Sequence, residues 1–246
     1  MAAKFGDYYH MSFGPKACLS ISDPSLIEGV LKTNVRVYHR AALEQSTLTS
    51  LLGYANILLA EYDKHIRHRR LVAPVFQHQN INSMISLMVE RTSSFLARWT
   101  EVSSNKTQPL TLNIHEEMTN LTLDIVTRYV FGTEIIGDQH VHEIISRSIT
   151  IAMKELEKRI SEKHWHEPNK FDPSRFNERY SDIWLPFGAG PRSCIGQNFA
   201  MLQAKIMLAA IVRQFHFELV PGQKHVPDVA VTARPKYGIW MRISSR

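Results

Sequence analysis

The sequence predicts a mainly α protein with a small β part. Three features carry that prediction. Apolar residues recur at helical spacing over three long stretches, 81–99, 114–129 and 141–160. A further stretch, 195–215, is apolar almost throughout. Strand-like patterns are confined to a short segment around residue 10 and to pieces after residue 215.

The elements follow in order. Tyr9, Met11 and Phe13 alternate with Tyr8, His10 and Ser12. Gly14-Pro15-Lys16 supplies a turn and Ala17 to Ile21 returns, so Asp7 to Ile21 reads as a β-hairpin. Asp23-Pro24 has the chemistry of an N-cap and a first helical residue, and Ser25 to Lys32 follow as a short helix. Asp63 to Val72 is a short basic helix stopped by Pro74. Ile81, Met84, Ile85, Met88, Phe95 and Trp99 share one helical face. Ile114, Met118, Leu121, Ile125 and Tyr129 form a second stripe, closed by Gly132. Val141, Ile144, Ile145, Ile149, Ala152, Leu156 and Ile160 form a third. All three read as core.

The texture changes near Ser161. From His164 to Pro191 the chain is rich in Pro, Asn, Asp, Gly and aromatic residues, which marks a long irregular segment. Ile195 to Phe215 leaves little polar face and is expected to be buried. His216 to Val220 and Gly238 to Ile243 look like strands.

The bulk numbers set bounds. Hydrophobic residues make up 44% and charged residues 21%, ordinary values for a globular protein able to build a core. Lys and Arg number 29 against 23 Asp and Glu, a net charge of +6 that suits an acidic surface without choosing one. The two cysteines, Cys18 and Cys194, lie far apart and give no disulfide framework, which points to a reducing compartment. Cys18, among apolar strand neighbours, reads as core. No apolar run is long enough to span a bilayer, so the chain reads as soluble or peripheral.

The stretch FGAGPRSCIG, Phe187 to Gly196, carries the chemistry. Gly188, Gly190 and Gly196 permit positive φ and close approach to a flat ligand. Cys194 stands just before a long helix, whose positive end favours a thiolate. Arg192 adds a cation that can also grip an acidic ligand group. One sulfur on such a loop suits a soft or borderline metal. A zinc site would need more ligands at short spacing, and only His164 and His166 are near.

Phe187, Gly190, Arg192, Cys194 and Gly196 fill F-x-x-G-x-R-x-C-x-G, and this resembles the haem-binding signature of the cytochrome P450 family. HWHEPNKFDPSRF, His164 to Phe176, is similar to the segment leading into that loop, with Arg175 at the arginine of the P-E-R-F element and Ser174 in place of its glutamate. EYDKHIRHRRLVAPVF resembles the family's helix C. Arg69 takes the arginine place of W-x-x-x-R, and His65 stands where tryptophan is usual. LDIVTRYVFG resembles helix E. The style is closest to the fatty-acid ω-hydroxylase and plant carotenoid-hydroxylase branches.

The resemblance implies a single domain over 1–246, with 1–160 holding the hairpin and helices A to F and 161–246 the haem loop, a buried helix and terminal strands. It implies a haem-thiolate monooxygenase that inserts one oxygen atom from O2 into a small apolar substrate. Haem b would be bound through Cys194 as metal ligand. Arg192, Arg69 and His65 would face its propionates, and Phe187 would shield the sulfur. Electrons would come from NADPH through a cytochrome P450 reductase. The implied location is the cytosolic face of the endoplasmic reticulum, with peripheral membrane contact. The cluster Lys64 to Arg70 lacks the aromatic interleaving of a nucleic-acid site, so no nucleic-acid partner is expected.

Two family elements are absent from the text. No A-G-x-D/E-T-T of the distal helix occurs, and no glutamate is followed by arginine three residues later, as helix K requires. The text passes from ELEKRI to SEKHWHEPNKF, which predicts an incomplete fold lacking the distal I-helix and K-helix region. A haem-binding remnant without competent oxygen chemistry is the alternative reading.

Overall fold

The computed structural model describes residues 6, 8–13, 16–21, 23–38, 49, 56–104, 109–132, 185–229 and 233–246. The third stripe, Val141 to Ile160, the passage at Ile160–Ser161 and the segment His164 to Phe176 lie outside the described residues, as does the turn pair Gly14-Pro15. The chain forms two compact units, residues 1–71 with 161–197 and residues 72–160 with 198–246.

In the first unit β1 (Tyr8–Phe13) and β2 (Lys16–Ile21) pair antiparallel, from Tyr8 opposite Ile21 to Phe13 opposite Lys16. The hairpin is as alternation predicts. Cys18 sits in β2 but is only half-buried, because a two-stranded sheet has no third strand to enclose it. Helix α1 (Pro24–Glu28) begins on Asp23, whose carboxylate accepts the Leu26 N–H at 2.8 Å. The hydroxyl of Ser25 and the Leu26 amide hold that carboxyl below the usual carboxylate range. The expected helix to Lys32 does not continue as α: Gly29–Thr33 widens into a π turn, closed by Asn34 N–H donating to Gly29 O at 2.8 Å. Helix α2 (Tyr62–Val72) follows an Asn56 turn whose side-chain oxygen accepts from Leu58 and Leu59 N–H, both at 2.9 Å.

The second unit holds the large core. Helices α3 (His78–Ser83) and α4 (Ile85–Ser104) part at Met84, a turn residue with φ −87° and ψ −5° whose N–H donates to Ile81 O at 3.0 Å. The face expected over 81–99 therefore belongs to two helices, and Ile85 is exposed at the break. Ile81, Met88, Leu96 and Trp99 are buried. Strand β3 (Leu110–Asn113) leads into α5 (Ile114–Phe131), which buries Leu121 and Ile125 as its stripe predicts. Gly132, at φ +82°, ends it and returns its N–H to Arg128 O at 3.0 Å.

Helix α6 (Gln197–Gln214) corrects an expectation. It buries only the line Phe199, Gln203, Met207 and Ile211, while Leu208 is 62% exposed and Met201 and Val212 are exposed as well. Residues four apart share one face, so apolar composition all round does not by itself bury every face. Strands β4 (Phe215–Leu219) and β7 (Trp240–Ser245) match the expected tail strands to within a few residues. With β3 they form an antiparallel sheet ordered β3-β7-β4, and β5 (Pro227–Val229) pairs with β6 (Ala233–Pro235).

One ion cluster in this unit supports a prediction. Asp124 accepts from Arg91 Nε and Arg128 Nε, both at 2.8 Å, with its side chain 14% exposed. Burial pushes the carboxyl up, but hydrogen bonds from Arg91 and then Arg128 outweigh it and hold it below the ordinary value. A depressed folded-state pKa gives stability that is present above the unfolded pKa and fades as pH falls through the folded one. Asp124→Asn is expected to cost about 1–2 kcal/mol at neutral pH, after discounting for partial solvent access. Urea titrations of both proteins from neutral to strongly acidic pH should show the gap closing. A gap constant with pH would mean the charge contributes nothing.

Candidate functional site

The loop Phe187 to Gly196 lies in the first unit, directly ahead of α6. Leu185 O accepts the Gly188 N–H at 3.0 Å, and Gly190–Arg192 makes one 3-10 turn closed by Ser193 N–H on Gly190 O at 3.0 Å. Gly188 and Gly190 both take φ +69°, a conformation that glycine adopts without steric cost. Gly196 does not; it sits in an ordinary turn, so its backbone freedom goes unused here.

Gly190 has a second constraint. A Cβ placed on it would stand 2.0 Å from Leu31 O and 3.0 Å from Leu31 C, in the π turn after α1. Absence of a side chain lets the loop seat on that turn.

Cys194 is exposed. Its N–H donates to Phe187 O at 2.7 Å, which closes the loop on itself, and its carbonyl accepts the Gln197 N–H at 3.4 Å, at the start of α6. Phe187 and Arg192 are half-buried. From α2, Arg69 reaches the same loop: Nη1 donates to Ser193 O at 2.7 Å and Nη2 approaches Ser193 Oγ at 3.4 Å. His65, one helical turn earlier, is buried. The structure thus brings Arg69 and the cysteine loop together, and the residue at their meeting point, Ser193, was not singled out by sequence. Its part is played by a backbone carbonyl, which leaves no mark in a motif. Arg175 lies outside the described residues.

Lys64, Arg67 and Arg70 are exposed on α2. An open cleft of about 550 Å³ lies at the start of that helix, lined by Thr49 and Leu59 to Lys64. None of the loop residues lines it.

The donor set tests what the loop could hold. Among the described residues no three His, Cys, Asp or Glu side chains gather as a metal cage. Cys194 is an exposed free cysteine, with Arg69 bonded to the neighbouring Ser193 carbonyl and Arg192 two residues earlier in the chain. That set fits a cofactor bringing its own equatorial ligands and its own acidic groups, and a haem has both.

The chain is similar to several known proteins. Residues 1–158 and 149–239 match the family described as Cytochrome P450, in two stretches that meet at 149–158. A cytokinin hydroxylase of Arabidopsis thaliana is 43% identical over 119 residues, 47% of this chain and 22% of that protein. An 11-oxo-beta-amyrin 30-oxidase of Glycyrrhiza uralensis is 43% identical over 79 residues, 30% of this chain and 15% of that protein. The chain spans about a fifth of the length of the curated relatives it matches. The solved retinoic acid bound cyanobacterial CYP120A1 shares the fold, with a TM-score of 0.73 at 14% identity over all of this chain and 93% of that one.

Proposed function

Because this chain belongs to the cytochrome P450 family, we propose that Cys194 is the residue that would hold a haem b iron through its thiolate in a monooxygenase. The exposed Cys194 on a doubly seated loop carries the reading. An inert structural thiol would be buried, whereas a ligand must face outward from a fixed backbone.

When bound, a thiolate-ligated haem supplies the activation of O2, from which one oxygen atom enters an apolar substrate. The chain's own residues hold and tune that group. Arg192, Arg69 and His65 supply charge and hydrogen bonds for its propionates. With the group bound, Phe187 would shield the sulfur from water, while Gly188 and Gly190 set the loop and Gly196 joins it to α6. Residues 1–246 act as one haem domain, with 1–160 contributing α2 and 161–246 the loop. The electrons come from NADPH through a reductase, for which the exposed Lys64, Arg67 and Arg70 offer a basic face. The protein works at the cytosolic side of the endoplasmic reticulum; among the described residues no helix is long and apolar enough to cross a membrane.

A second reading has its own support. The sequence contains neither the A-G-x-D/E-T-T element nor an E-x-x-R pair. A haem-binding remnant without oxygen chemistry would keep Cys194 and lose turnover.

The reduced, CO-bound spectrum of the chain expressed with haem supplied is expected to show a thiolate-type Soret band. Cys194→Ala is expected to abolish that band. Persistence of the band in the alanine variant would refute the ligand assignment. Turnover of an apolar substrate with added reductase separates the enzyme from the remnant.

A further inference from the structure

We propose that Arg69 is a positioning residue for Cys194, acting through the peptide group that joins it to Ser193. The proposal rests on the haem-thiolate reading and deepens it.

One planar peptide unit contains both Ser193 C=O and Cys194 N–H. The structure holds it at both ends. Arg69 Nη1 donates to the carbonyl oxygen at 2.7 Å, and Cys194 N–H donates to Phe187 O at 2.7 Å. With both ends held, the plane cannot rotate. The orientation of that plane, together with the next one, which the Gln197 N–H donating to Cys194 O at 3.4 Å restrains, sets the direction in which the Cα–Cβ bond of Cys194 leaves the backbone. The bond from Arg69 is charge-assisted, and it joins residues 124 apart in sequence. It therefore ties the loop to α2 rather than to its own neighbours. Nearby, Ser193 N–H on Gly190 O at 3.0 Å and the seating of Gly190 on Leu31 fix the preceding residues.

This task differs from supplying charge to a propionate. It uses none of the cofactor's atoms, since both partners, Arg69 and Ser193, belong to the chain. It also leaves other guanidinium N–H groups for an acidic group, because arginine carries five donors. Arg69 thereby aims the sulfur of Cys194.

The test loads haem into the full chain and into Arg69→Gln, Arg69→Lys and Ser193→Ala. The ratio of thiolate-type to other species in the reduced, CO-bound spectrum is read per haem bound. Arg69→Gln is expected to lower that ratio about tenfold, the loss of one charge-assisted hydrogen bond. Arg69→Lys, with one charged donor for the same carbonyl, should recover part of it. Ser193→Ala keeps the carbonyl and loses only the 3.4 Å contact to Nη2, so it should lower the ratio less than Arg69→Gln does; an equal or larger loss would overturn the role given to the carbonyl. Two other results overturn the proposal: Arg69→Gln binding less haem at an unchanged ratio, or Arg69→Lys recovering nothing. If Arg69→Gln takes up no haem, hydrogen exchange at the Cys194 amide of the haem-free chains decides. Faster exchange than in the parent supports the proposal and an equal rate overturns it. A parent chain with no thiolate band strikes the ligand reading itself, and this role with it. A parent band with an unmoved variant ratio strikes only the role of Arg69.

Discussion

Gly190→Ala is expected to destabilise the unit carrying the Cys194 loop by about 2–4 kcal/mol. Two causes add. The residue sits at φ +69°, where any Cβ is strained, and that Cβ would lie 2.0 Å from the carbonyl oxygen of Leu31. A backbone carbonyl in a π turn cannot swing aside as a side chain end can. Gly188 supplies the control. It has the same φ of +69°, but its nearest neighbour to an added Cβ is Ser193 Cα at 3.9 Å. Gly188→Ala should therefore cost only the backbone strain, about 1 kcal/mol. Urea unfolding of the two variants, with haem uptake measured alongside, gives the comparison. Equal losses would mean that the seat on Leu31 is looser than 2.0 Å implies.

Trp99→Ala should cost about 3–5 kcal/mol, the largest single loss in the second unit. The indole is 2% exposed and meets three rings edge-on: Phe95, Phe215 and Phe217, at centroid distances of 5.4, 5.5 and 6.3 Å. Its Nε1 donates to Glu117 Oε2 at 2.9 Å, where Arg98 also donates at 2.7 Å. Truncation leaves a cavity among these rings and takes one donor from a half-buried carboxylate. Trp99→Phe keeps most of the packing and loses the N–H, so about 1–2 kcal/mol is expected. Thermal and chemical denaturation of the pair separate volume from hydrogen bonding. Similar losses for both would put the weight on the Glu117 bond.

Much of this was legible in the sequence, and the reasons differ by element. The hairpin was readable because alternation from Tyr8 to Phe13 survives in one plain run. The stripe of α5 was readable because five apolar residues keep helical spacing up to a glycine that can take φ +82°. The break at Met84 was not, since Met84 and Ile85 continue the apolar spacing and nothing there is Pro or Gly. Strand β3 has four residues and β5 and β6 have three each, too short for a period to appear. In α6 composition misled, because burial is decided by which neighbours arrive, and one line of residues met the core. At the site, Cys194, Arg192 and the glycines were legible from chemistry and spacing. Arg69 was legible as a residue but not as a partner of Ser193, whose contribution is a carbonyl that every residue possesses.

The order of the main sheet constrains how the chain can be made. Its central strand is β7, and β3 and β4 flank it without touching each other in the ladder. The junction after β3 is secured from the same distant region: Asn113 Oδ1 accepts the Ile239 N–H at 3.0 Å, across 126 residues. A nascent chain leaving the ribosome therefore carries β3 without its pairing partner until residue 240 has emerged. Until then Leu110–Asn113 and Phe215–Leu219 present unpaired edges, the kind of template on which chains associate with one another. Contacts of such long range also close slowly. Ribosome-stalled chains ending before Trp240 should consequently depend on chaperones for solubility, and chains released beyond Ser245 should not.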